Sequence, residues 1–235
     1  MALPKLTAPK YTTVIPSTGK TIEYRPFLVK EEKILLMAQE SEDTAQLILA
    51  MKDIVKSCTY DKVNPNDLTS FDLEFLFLKL RAKSVGEISN VKIKCTECDH
   101  HTENQIDLDN INVVVDDKIS KTIMLTSTVG INLRYIKVKD MAALSDTNKS
   151  QGELINNLIV ASIESIFDET AVYPADTSST EELQGFINSL NREQMSKIEA
   201  FISAAPKLQH SLKFTCKGCS HDNDVTLSGL QSFFE

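Results

Sequence analysis

The chain has 235 residues, with 33 acidic against 25 basic side chains, a formal charge of −8, and seven each of glycine and proline. That length allows one or two domains with a real core, and the composition is unlike that of a disordered chain. Net negative charge repels phosphate and sets generic nucleic-acid binding aside, and no apolar stretch reaches the roughly 18 residues that a membrane span needs.

The first 20 residues, MALPKLTAPKYTTVIPSTGK, carry two early prolines and no apolar core of signal-peptide length. A reducing compartment is therefore expected. Residues 11 to 25 read as a β-hairpin: Pro16, Ser17 and Gly19 supply the turn, and Val14, Ile15, Ile22 and Tyr24 favour strand. PFLVKEEKILLMA opens a helix that Ser41 interrupts. A second helix follows, with Thr44, Leu47, Ile48, Met51, Ile54, Val55 and Cys58 on one face. Cys58, alone in this apolar stripe, reads as a buried small hydrophobe rather than a reactive thiol.

After the loop DKVNPNDL, Thr69 and Asp72 have the spacing of a capping box for a third helix. Its large apolar residues wrap almost the whole helix. At about 100° per residue, Phe71, Phe75 and Leu78 group on one side, and Leu73, Leu76 and Leu80 on the other. Either this is a central core helix, or one side packs on the core while the other meets a partner. On the second reading Phe71, Phe75 and Leu78 are the partner-binding residues.

VKIKCTECDHHTENQIDL, residues 91 to 108, reads as strand, C-x-x-C, strand. Two further strands are expected to turn near residues 128 to 130. From 139 to 206 the pattern becomes helical: Leu154, Ile155, Leu158, Ile159, Ile163, Ile166 and Phe167 form one stripe. DETAVYPADTSST is a loop. Ser179 with Glu182 and Asn191 with Gln194 cap two more helices, and Pro206 bars continuation. LKFTCKGCSHDNDVTL, residues 212 to 227, then repeats the strand, C-x-x-C, strand pattern.

Cys95, Cys98, Cys216 and Cys219 make two pairs separated by 117 residues, far beyond the usual zinc-finger spacing of about 15–20. The duplicated strand context nevertheless favours one structural zinc site of four thiolates, two from each hairpin tip. An iron–sulfur cluster accepts the same ligands, and spacing does not separate the two. His100 and His221, two places after each second cysteine, could each replace a cysteine, although surface histidine is the commoner outcome. Asp99 tolerates the positive φ of such a turn better than Ser220, so the second turn is expected to differ slightly from the first.

The expected fold is α+β: helical-bundle elements, antiparallel hairpins, and a split zinc ribbon interrupted by a strand-and-helix insertion. Residues 1–88 form an N-terminal hairpin and helical region, 89–115 and 208–230 the two ribbon halves, and 116–207 the insertion. No glycine-rich phosphate loop, G-x-S-x-G or H-E-x-x-H is present, and four thiolates leave zinc no open position, so no enzyme is expected.

PSTGKTIEYRPFLVKEEKILLMAQES, LFLKLRAKSVGE, INLRYIKV and LQGFINSLNREQMSKIEAFISAAPKLQHSLKFTCKGC resemble blocks of the T4-like phage baseplate hub proteins, a family of hub subunits and hub assembly catalysts. The resemblance implies a tail-assembly protein of a contractile-tailed phage, made in the host cytoplasm. It would act as a virion baseplate subunit or as a departing chaperone. The implied partners are other hub and spike proteins or a second copy of the chain. It brings no catalytic residues. The rival reading is a nucleic-acid-binding zinc ribbon, resting on Lys92, Lys94, Lys213 and Lys217 near the cysteines, against Glu97, Asp99, Glu103, Asp222 and Asp224.

Overall fold

A computed structural model describes residues 6–41, 43–115, 119–144 and 150–233. The chain forms two compact units: one runs to Val114 and resumes at Lys207, the other spans Val115–Pro206. The first unit opens with the expected hairpin, β1 (Tyr11–Val14) and β2 (Thr21–Tyr24), paired antiparallel with Tyr11 opposite Tyr24. Gly19 takes the turn position at φ 68, where a side chain would be strained.

Two helices follow, α1 (Val29–Glu40) and α2 (Thr44–Cys58), the second capped by the Asp43 carboxylate on the Ala45 amide at 2.8 Å. Glu31 is buried on the inner face of α1 and accepts from the Arg25 guanidinium at 3.0 Å, the Ser57 hydroxyl at 3.1 Å and the Leu28 amide at 2.8 Å. Burial pushes its carboxyl pKa up, but these donors overcome that and hold it near about 2. Cys58 is fully buried, and burial raises its thiol to about 11, in keeping with an inert packing residue.

Helix α3 (Ser70–Val85) starts at the expected capping box of Thr69 and Asp72. The same Asp72 carboxylate, wholly buried, also accepts from the Ser17 amide at 2.9 Å and from the Ser17 hydroxyl. It thereby pins the β1–β2 turn to the helix start. Strands β3 (Ile88–Lys94) and β4 (His101–Asp107) form a seven-residue antiparallel ladder, and β5 (Asn112–Val114) closes this part of the chain.

In the second unit β6 (Thr122–Met124) and β7 (Gly130–Leu133) are the two expected strands. Helices α4 (Val138–Leu144) and α5 (Gln151–Ser162) come next. The helical stripe expected through Phe167 stops at Ser162: Ile163–Phe167 is strand β8, paired with β7. The reason is local. Ile163 and Ser165 are buried while Glu164 is exposed, a period of two, and β-branched isoleucines suit a pleated surface. Part of the expected loop is also strand: β9 (Val172–Pro174) pairs back on β8, completing the sheet order β6-β7-β8-β9. The Gly130 backbone lies directly under the Phe167 ring, and a Cβ there would come within 2.2 Å of it. Helices α6 (Thr180–Asn188) and α7 (Arg192–Ser203) form with both expected capping boxes. Ile131, Leu133, Ile159, Ile163, Ile187, Ile198 and Phe201 join helices and sheet in one core.

The chain returns to the first unit as β10 (Lys207–Thr215) and β11 (Asp222–Ser228). β10 pairs with β11 along its length and with β5 at its base, in the order β11-β10-β5. Helix α3 packs against α2, β5 and β10. This corrects the partner-facing reading of the helix: Phe71 is 4%, Phe75 6% and Leu78 0% exposed. A helix apolar on all sides is here covered on all sides, by α2, by β5 from mid-chain and by β10 from near the C-terminus. The cysteine hairpins share this unit and reach into its core: Val91, Ile106 and Leu208 are buried, as is Phe233 beyond the end of β11.

Candidate metal centre

Each cysteine pair sits at the tip of a hairpin, where the strands cross over. In the first tip the Cys95 amide donates to the His100 carbonyl at 2.9 Å. In the second, the Cys216 amide donates to the His221 carbonyl at 2.8 Å. Asp99 and Ser220 both stand at φ 58, so the expected difference between the two turns is absent. The ladder on either side fixes the backbone in both tips and holds Ser220 in the left-handed conformation despite its lower tolerance for it.

The two tips meet. Cys95 Sγ lies 3.8 Å from Cys219 Sγ, and Cys98 Sγ lies 3.6 Å from Cys216 Sγ. All four sulfurs fall within 4.8 Å of one another. Four sulfurs at about 2.3 Å from a tetrahedral zinc ion would sit about 3.8 Å apart. A disulfide needs about 2.05 Å, and all five cysteines are free thiols. Cys95 and Cys216 are buried, whereas Cys98 and Cys219 face solvent.

The electrostatics of the four differ in a regular way. A hydrogen bond from the Glu97 amide, with others from the Cys98 amide and the Asn223 carboxamide, draws the Cys95 thiol down to about 6. The Cys219 and Gly218 amides lower Cys216 in the same sense. Cys98 is pushed up to about 12: the His100 amide favours its thiolate, but shared protons with Cys219 and Cys216, and burial, outweigh it. Cys219 is raised too, against the pull of the His221 amide. Four thiolates this close repel, so ionising two makes the others hold their protons. A divalent cation held between them would remove the conflict and release those protons.

His100 and His221 act through their backbone, and their side chains are exposed, outside the group of four sulfurs. His100 packs on the second tip: a Cβ at Gly218 would lie 3.0 Å from its Cβ. One participant escaped the sequence reading. Asn223, on β11 and 3% exposed, reaches across to Thr96 and Cys95 of the other hairpin. Three of the four lysines behind the nucleic-acid reading are engaged by acids: Lys92 with Glu103, Lys94 with Asp99 at 2.7 Å, and Lys213 with Asp224. That removes much of the positive potential a phosphate backbone would need.

A protein of this build is an α+β chain with a thiol-rich joint between two distant hairpins. Residues 8–235 match the family described as T4 bacteriophage base plate protein, and the chain belongs to that family. It is similar to the baseplate hub assembly protein gp26 of Enterobacteria phage T4, with 25% identity over 218 residues, covering 92% of this chain and 94% of that protein. No solved structure matches it. Among the described residues no helix is long and apolar enough to cross a membrane.

Proposed function

We propose that the chain is a hub subunit or hub assembly factor, a chaperone, of a contractile phage tail. It acts by binding other hub and spike proteins or a second copy of itself, and catalyses no bond change. Family membership over residues 8–235 carries this reading, together with a relative named for hub assembly that is matched along nearly its whole length. The protein is made in the host cytoplasm and works there or in the baseplate. Because α3 is enclosed, partners meet other surfaces: the hairpin tips, and the outer face of α1, where Val29, Leu36 and Met37 are exposed.

Cys95, Cys98, Cys216 and Cys219 hold one structural zinc ion that locks the hairpin tips together. The 3.6 and 3.8 Å sulfur separations favour a single ion. A multi-iron cluster would hold the sulfurs farther apart.

Two measurements test these readings. Mass spectrometry of purified virions and of hub intermediates should find the chain in both if it is a subunit, and only in intermediates if it is a departing chaperone. Absence from both overturns the assembly role. Elemental analysis should give about one zinc per chain; no metal and four titratable thiols overturns the metal.

A further inference from the structure

We propose that Asn223 is a positioning residue of the four-cysteine centre, clamping the two hairpin tips and donating a hydrogen bond to Cys95 Sγ. This rests on the metal reading above and names a residue outside the ligand set.

The carboxamide is used completely. Its Oδ1 accepts from the Thr96 amide at 3.0 Å and from the Thr96 hydroxyl at 3.0 Å, both in the first hairpin. Its Nδ2 donates to Cys95 Sγ at 3.5 Å, and to the His221 carbonyl of its own hairpin at 3.1 Å. Two donors and two acceptor positions are the whole capacity of the group. The orientation is fixed by the Thr96 amide, which can only donate: turning the carboxamide over would set donor against donor there and leave the His221 carbonyl facing an oxygen. The amino group must therefore face the sulfur. A donor in that place holds the sulfur toward the centre of the four.

The first hairpin lacks the matching clamp. Asn223 stands four residues after Cys219 and opposite Phe214; Thr102 stands four after Cys98 and opposite Ile93. The shorter Thr102 side chain is 3% exposed, and its hydroxyl finds no partner among the described residues. The joint is thus held from one side, by the hairpin that is made last. Threonine at this place is compatible with the hairpin, which supplies a substitution that removes the clamp without a foreign shape.

The experiment uses the full chain, as wild type, Asn223→Thr and Asn223→Asp. Zinc affinity is read by competition with a chromophoric chelator, and thiolate-to-metal bands by cobalt substitution. Asn223→Thr should weaken zinc about 10- to 100-fold, the usual effect of losing an outer partner of a ligand. Asn223→Asp keeps both acceptor bonds to Thr96 but sets a carboxylate against the Cys95 thiolate. It should bind more weakly than Asn223→Thr and shift the cobalt bands. An Asn223→Asp protein as tight as wild type would reduce Asn223 to a clamp and overturn the sulfur-donor role. Equal affinity of wild type and Asn223→Thr overturns the proposal entirely while leaving the metal intact. A wild-type chain that binds neither zinc nor cobalt overturns the metal reading, and this role with it.

Discussion

Replacing Glu31 by Gln should reveal how much the first unit depends on a buried charge. The Glu31 carboxylate is 4% exposed, with the Arg25 guanidinium at 3.0 Å on one oxygen and the Leu28 amide at 2.8 Å on the other. Its pKa falls from an ordinary 4.5 to about 2. Two to three powers of ten in proton affinity, at about 1.4 kcal/mol each, give roughly 3 kcal/mol of stability at neutral pH. Because the folded-state pKa is the lower one, this contribution is complete above about pH 5 and fades as pH falls toward 2. Glutamine keeps the shape and the Leu28 bond but leaves the Arg25 cation enclosed without its counter-charge, a change that costs about 3–5 kcal/mol for well-buried pairs. Hydrogen exchange, read on peptides covering α1 and α2 at pH 7, 4 and 3, isolates this unit from the other. The wild type should lose protection steeply with acid, the variant should start lower and respond less, and the gap should narrow. Parallel pH responses in the two proteins would refute the reasoning.

Other changes probe other parts of the molecule. Leu78→Ala, at a side chain with no exposure, should cost about 2–5 kcal/mol in urea unfolding, and an effect under about 1 kcal/mol would mean that α3 is not enclosed. Thr102→Val replaces a buried, unpaired hydroxyl by a methyl group of similar size, and should stabilise the chain by about 1 kcal/mol. Cys216→Ser should abolish stoichiometric zinc and loosen the tips, while the amide of Gln209, on the β5 side of β10, keeps its protection.

Local signals were readable because their partners lie a few residues away. Thr69 with Asp72, Ser179 with Glu182 and Asn191 with Gln194 each form the capping box their spacing suggests. The cysteine tips were readable because a rare residue recurs in the same strand context. What was hidden depends on distant chain. The stripe from Leu154 to Phe167 fits a helix equally well until β7 offers Ile163–Phe167 a ladder. Phe71, Phe75 and Leu78 suggest a binding face until β5 and β10 are laid beside them. Asn223 is one more polar residue in an alternating strand until the opposite hairpin brings Thr96 to it.

The second unit leaves the first after Val114 and returns at Lys207, and these two residues face each other across adjacent antiparallel strands. The exit and the return are thus already at hairpin distance. A two-residue turn of the Asn-Gly type would suffice to bridge them. The intervening segment is attached in the manner of a grafted domain, whose two ends make no demand on the host beyond a gap of one strand spacing. The ladder of β10 on β5 can therefore hold its register whatever the length of the chain between them.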